Sequence, residues 1–250
     1  MRSVYMEEMT WAEIQEAMEG GVDTVIVCAA SHEQHGPHMA ESTDYTIGRA
    51  QYGEVARRMN ALVAPLIRPG ISPHHMGLPG SITLRPEVFR GIVEDYVSCY
   101  VHHGFKKIVL GSSHGGNFAV LDQMAEELDA KYPDTKIVSA LSLADFTNTC
   151  SDADEMFGLE KGACGAHACC FETSIMLHIA PQLVNMDKAV RGYMSTDTAE
   201  GAKKLLEGGV KALTPTGILG DASCATAEMG KAYFDMLVDR TLAAIEKKLK

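Results

Sequence analysis

Thr24-Val25-Ile26-Val27-Cys28-Ala29-Ala30 is apolar at both alternating positions after its first residue, so a strand here turns apolar side chains to both faces. Such a strand is stable only where helices cover each side, the situation inside a parallel sheet. Lys107 to Leu110 and Lys136 to Leu143 repeat the signature, and Leu62 to Ile67 reads as a further strand. Helical periodicity returns between them. Trp11, Ile14 and Met18 follow a Thr10/Glu13 capping-box pattern and stop near Gly20-Gly21; Tyr45 to Asn60 repeats through Ile47, Tyr52, Val55 and Met59. Another helix opens near Arg85-Pro86 and closes at His103-Gly104, and one more runs through Val120, Met124, Ala125 and Leu128.

Alternating strands and helices predict the α/β class, a mainly parallel sheet covered on both faces in one domain over residues 1–250, with no linker or internal repeat. Ala144 to Cys170 reads as irregular and acidic, Phe171 to Leu177 as a short helical segment, and Thr226 to the C-terminus as the last helix. In sheets of this kind ligands sit where loops leave the carboxyl ends of strands, and two histidine-bearing loops do so here.

Charge and cysteine content narrow the function. With 22 Lys and Arg against 33 Asp and Glu the formal charge is −11, and no basic stripe with interleaved aromatics offsets it, which argues against nucleic acid as a partner. No 18-residue apolar run occurs, and Glu7 and Glu8 stand where an export signal needs a basic then apolar stretch, so no membrane association and a cytoplasmic location are expected. Seven cysteines without a CxxC pair imply reduced thiols rather than a disulfide framework.

Five of the ten histidines fall with carboxylates and glycines in three short segments. The first is Ser31-His32-Glu33-Gln34-His35-Gly36-Pro37-His38, with Asp44 shortly after. Glu33 and His35, two apart in an extended segment, can point the same way, and Asp44 can fold back as a third metal ligand. The histidines are three apart and Gly36-Pro37 follows, so this is not the helical HExxH of a zincin. The second segment, His114-Gly115-Gly116-Asn117, matches neither phosphate-binding glycine pattern and reads as a metal-binding imidazole needing close backbone clearance. The third, His167-Ala168-Cys169-Cys170-Phe171-Glu172-Thr173-Ser174, places Glu172 among apolar neighbours, where a carboxylate requires a partner such as a metal. A zinc site of His167, Cys169 and Cys170 is the weaker alternative. His102 and His103 suit a helix C-terminus and His178 a helix surface; His74 and His75 lie in a Gly/Pro-rich loop able to border a pocket, and neither they nor His38 has an assigned role.

Glu33-x-His35-Gly36-Pro37-His38, Thr43-Asp44, His114-Gly115-Gly116-Asn117, and His167 five residues before Glu172-Thr173-Ser174 resemble the creatininase (creatinine amidohydrolase) family in identity, order and spacing. The likeness extends through Leu78-Pro79-Gly80-Ser81-Ile82-Thr83-Leu84-Arg85-Pro86 and Gly217-Ile218-Leu219-Gly220-Asp221, over roughly residues 8 to 248. The resemblance implies a three-layer α/β/α sandwich with two divalent metals, Zn, Mn or Fe, at the carboxyl ends of the strands. By analogy Glu33, His35, Asp44 and His114 are ligands, Asp44 bridges the metals, and His167 is the proton-transfer residue unless it is itself a ligand. It also implies a homo-oligomer, a hexamer. Two cations so held make a water acidic enough to attack a polarised carbonyl near neutral pH.

Creatininase itself has a glutamate ligand where this chain has Gly116; members with His-Gly-Gly-Asn recruit the later glutamate, here Glu172, which serves as ligand or proton donor. A glutamate preceding the catalytic histidine and two substrate-lining tryptophans correspond to Ala166, Ala144 and Ala163, which argues against creatinine. The expected reaction is hydrolysis of a small polar cyclic amide or formamide-like C–N bond. The alternatives are opening of a dehydro-inositol (3-dehydro-scyllo-inosose type) at a C–C bond beside a ketone, or a noncatalytic metal- or ligand-binding protein.

Overall fold

A computed structural model describes residues 2–165, 167–194 and 198–250, with the backbone alone at 198–200 and 202. Ala166 lies outside the described residues. Four strands, β1 (Thr24–Ala29), β2 (Leu62–Val63), β3 (Lys107–Ser112) and β4 (Lys136–Ser139), form one sheet in the order β2-β1-β3-β4, every pair parallel.

The alternation of β1 fixes both layers. Val25, Val27 and Ala29 enter a core shared with α1 (Trp11–Glu19), α3 (Pro86–His102) and α4 (Phe118–Lys131), supplied by Phe89, Val93, Met124 and Leu128. Ile26 and Cys28 enter the opposite core, with Tyr52 and Val55 of α2 (Thr43–Met59) and Val238 and Ile245 of α9 (Ala227–Leu249). The architecture is a three-layer α/β/α sandwich, and each fully buried aliphatic chain contributes about 1.5–3 kcal/mol to it. A third apolar cluster joins α5 (Leu143–Met156), α6 (Cys170–Ile179) and α9 around Phe171, Ile175 and Tyr233.

Local signals act as expected at several ends. Thr10 and Glu13 make a reciprocal capping box, Asn60 closes α2 in the left-handed conformation, and Thr226 caps α9. Other expectations are corrected. The strand read from Leu62 to Ile67 is regular over two residues only, because Pro65 has no N–H for the ladder; pairing resumes where the Ile67 N–H donates to Cys28 O. The strand read to Leu143 ends at Ser139, and the stretch read as irregular holds α5, started by a Ser142/Asp145 capping box. Two helices, α7 (Thr198–Gly208) and α8 (Val210–Leu213), had no counterpart in the sequence reading. Among the described residues no helix is long and apolar enough to cross a membrane.

Candidate metal centre

The chain leaves β1 for β2 on one side and later returns to β3 on the other, so the sheet has its switch point between β1 and β3. Glu33 and His35 follow β1 and His114 follows β3, which brings the first two histidine segments to one cleft. Asp44 enters from the first turn of α2 and Glu172 from the first turn of α6. All five are buried, with His167 beside them.

Among the described residues, three groups of side chains have ligand atoms within 4.8 Å of one another: Glu33, Asp44 and His114; His35, Asp44 and Glu172; Glu33, His35 and His167. Asp44 belongs to two of them. Its Oδ1 lies 3.1 Å from His35 Nε2 and its Oδ2 3.4 Å from His114 Nδ1. His35 Nε2 is 3.9 Å from Glu172 Oε2, and Glu33 Oε1 is 3.2 Å from His114 Nδ1 and 3.6 Å from His167 Nδ1.

Backbone carbonyls set the tautomers. A carbonyl oxygen only accepts, so each ring nitrogen facing one carries the proton. His35 Nδ1–H donates to Glu33 O at 3.0 Å, His114 Nε2–H to Ile71 O at 3.1 Å, and His167 Nε2–H to Gln34 O at 2.6 Å. In each neutral ring the other nitrogen turns its lone pair toward the carboxylates, the arrangement by which metal-ligating histidines are oriented. Gly116 makes one of these contacts possible: a Cβ there would lie 2.1 Å from Ile71 O and 2.6 Å from His114 Nε2.

Donor chemistry and orphaned atoms both fit a metal. Glu33 Oε2, His35 Nε2 and Asp44 Oδ2 are buried without a well-formed hydrogen bond. Mixed imidazole and carboxylate donors suit Zn, Mn or Fe. Without a cation, protons hold the cluster together. Burial opposes the charging of His35, but Asp44, Glu172 and Glu33 outweigh it and raise the imidazole to about 10; His114 is likewise held well above the ordinary range, where Glu33 and Asp44 overcome its burial. Burial also resists ionisation of Glu33, yet the charge and hydrogen bond of His114 keep its carboxyl well below the usual range. Burial, then His35 and His75, hold His167 well below an ordinary histidine and therefore neutral. Burial pushes Glu172 up to about 7 against the pull of His35.

Two residues emerge that the sequence reading did not assign. His75 Nε2 stands 3.3 Å from Glu33 Oε1, and the His74 ring stacks on His114 at 5.8 Å. Their loop leaves the carboxyl end of the β2 segment and is anchored by Asn117, whose Oδ1 accepts from Ile71 N and whose Nδ2 donates to Ala30 O. The available signal was a Pro-stiffened His-His pair just beyond a strand. His38 is buried against Thr173, its Nε2 2.8 Å from Oγ1, and Cys169 instead donates to Gly165 O, away from His167. His102 sits in the last turn of α3 and His178 is exposed on α6, as expected.

The cluster opens into a cavity of about 1040 Å³, walled by Leu143, Phe146, Cys150, Met194, Leu205 and Val210 among others. Of the two alanines that the resemblance sets against tryptophans, Ala144 is exposed and Ala163 buried, while Leu143 and Phe146 line the cavity.

The family model for creatininase, described as creatinine amidohydrolase, matches residues 7–245. A mycofactocin precursor peptide peptidase from Mycobacterium ulcerans is 30% identical over 243 residues, covering 90% of this chain and 85% of that protein. A creatinine amidohydrolase from Pseudomonas putida is 29% identical, covering 99% and 98%, and a 3-dehydro-scyllo-inosose hydrolase from Thermotoga maritima 26% identical, covering 94% and 80%. Among solved structures, a creatininase variant described as Zn-Zn type superposes with a TM-score of 0.83 at 27% identity, over 99% of this chain and 98% of that one; a manganese creatininase gives the same TM-score and identity, over 98% of each. The fold, the switch-point cleft and these similarities agree that the chain belongs to the creatininase (creatinine amidohydrolase) family and is a hydrolase of that family.

Proposed function

We propose that the chain is a dinuclear metal-dependent hydrolase that cleaves an amide C–N bond. Glu33, Asp44 and His114 hold one divalent ion, and His35, Asp44 and Glu172 hold the other. The observation that carries the reading is the sharing of Asp44 between two ligand groups, one carboxylate oxygen directed to each. Bound there, two such ions supply Lewis acidity that polarises a carbonyl and lowers the pKa of an attacking water.

His167 does the proton work. Its Nε2–H is committed to Gln34 O, so Nδ1 is the atom that takes a proton from the water and gives it to the leaving nitrogen. Glu33, Asp44 and Glu172 carry the negative charge that balances the ions.

The substrate reading shifts from the small cyclic amide or formamide expected from sequence to a longer amide, a peptide. Ligand pockets run to about 300–1,000 Å³, and a single small ring would fill little of a cavity of about 1040 Å³. Similarity to a peptide peptidase supports this. A dehydro-inositol is the alternative, since Ser113, Thr147, Ser151, Asp154 and Lys161 also line the cavity and could meet its hydroxyls. The homo-oligomer, a hexamer by resemblance, and a cytoplasmic location belong to the same proposal.

The test is turnover by the zinc- or manganese-loaded protein across peptides, lactams, N-formyl compounds and keto-inositols. Release of an amine from a peptide is the expected result. Ring opening of a keto-inositol alone would replace amide cleavage, and metal binding with no turnover of any substrate would favour a noncatalytic relative.

A further inference from the structure

Gln34 stands between two residues of the centre and touches both unassigned and assigned histidines. The Gly36 N–H donates to Gln34 Oε1 at 3.0 Å, which fixes the amide with its NH₂ on the other side. That NH₂ has two hydrogens. It lies 2.9 Å from His75 Nδ1 and 3.3 Å from Gly217 O, and both can only accept from it. The third neighbour, His167 Nε2 at 3.0 Å, already spends its proton on the Gln34 carbonyl and accepts nothing.

The consequence is a fixed polarity. His75 accepts at Nδ1, so its proton sits on Nε2, 3.3 Å from Glu33 Oε1, and it donates to that carboxylate. His167 presents the opposite polarity to the same oxygen: an unprotonated Nδ1, 3.6 Å away. A lone pair facing a carboxylate is repulsive unless a cation or a proton lies between them, whereas an N–H is attractive. The Gln34 amide and carbonyl therefore impose donor character on one imidazole and acceptor character on the other. His75 is 3% exposed and its ring centroid lies 4.3 Å from that of His167, so neither ring can turn freely.

We propose that His75, held as its Nε2–H tautomer by the Gln34 side chain, is a positioning residue that orients Glu33 toward the metal centre and leaves His167 Nδ1 as the open base. The inference rests on the dinuclear reading for its catalytic meaning but not for its hydrogen-bond polarity. Partners of this kind, hydrogen-bonded to a metal-ligating carboxylate, typically contribute 10- to 100-fold to metal affinity or activity.

The experiment combines three variants with two readouts. Long-range ¹H–¹⁵N correlation on the metal-free protein should report Nε2–H for both His75 and His167. In zinc titrations with a competing chelator, His75→Ala should weaken binding by about 10- to 100-fold. His75→Gln, which can accept from Gln34 and donate to Glu33, should recover most of that loss. Gln34→Glu, which places an acceptor where the donor stood, should shift His75 to Nδ1–H and weaken zinc as His75→Ala does. Wild-type His75 found as Nδ1–H would overturn the proposal, as would His75→Ala with zinc affinity within twofold of wild type, or Gln34→Glu with an unchanged His75 tautomer. A wild-type protein that takes up neither zinc nor manganese would sink the dinuclear reading instead, and the two tautomer measurements would still decide this one.

Discussion

Asp44 Oδ1 and His35 Nε2 face each other at 3.1 Å with both side chains buried, and the remaining oxygen of Asp44 points to a different histidine, His114. One carboxylate thus serves two ligand groups. Asp44→Ala should reduce bound zinc or manganese from two ions per chain to nearly none, while Glu172→Ala should leave about one; elemental analysis of desalted protein measures both. Full metal content in Asp44→Ala would end the dinuclear reading, and two ions retained in Glu172→Ala would make that carboxyl a proton donor rather than a ligand.

Metal uptake should be strongly pH-dependent. In the metal-free protein His35 is raised to about 10 and His114 is raised too, both against their burial and by the surrounding carboxylates. Each must lose a proton to bind, so apparent affinity should rise between pH 7 and pH 10 and protons should be released, a quantity given by calorimetry in buffers of different ionisation enthalpy. The sign for folding is the reverse. Raised histidines stabilise the metal-free fold fully below their unfolded value of about 6.5 and progressively less as pH rises through about 10. Metal-free melting temperatures that rise over this interval would contradict the assignment.

His167→Ala should lower kcat by about 10²- to 10⁴-fold with KM nearly unchanged and metal content intact. Loss of an ion would instead place His167 among the ligands, through its group with Glu33 and His35.

Gly116→Ala should destabilise the metal-free protein by about 1–3 kcal/mol, because the new methyl collides with Ile71 O, and should also cost zinc by displacing His114. Chemical denaturation and metal titration read the two effects separately. A Gly116→Ala variant equal to wild type in both would show that the His114–Ile71 contact is dispensable.

Gly230→Ala tests how α6 is held. A Cβ at Gly230 would lie 1.8 Å from Ser174 O, so α9 and α6 must separate, and α6 carries Glu172. Both stability and metal content should fall, whereas a change in stability alone would mean that Glu172 is positioned by its own hydrogen bond from Ala168 N.

What the sequence determined by itself was everything that depends on short-range pattern or on residue chemistry. Both-face apolarity in Thr24 to Ala29 required a covered parallel sheet, Thr10 with Glu13 and Thr226 set helix starts, and the acidic and imidazole side chains after two strand ends marked Glu33, His35, Asp44 and His114. Those signals are local, so they survive without a fold. Helix α5 was missed although Ser142 and Asp145 announced it, because its few apolar residues are diluted by Thr, Asn and Asp. The tertiary structure alone decided which atoms meet: that Asp44 faces two histidines, that Glu172 completes one group, that His75 reaches Glu33, and that the cavity is walled by Leu143 and Phe146. It also decided which ring nitrogen carries each proton. Tautomer and polarity are set by carbonyls such as Ile71 O and Gln34 O, whose directions come from backbone geometry and leave no trace in residue identity.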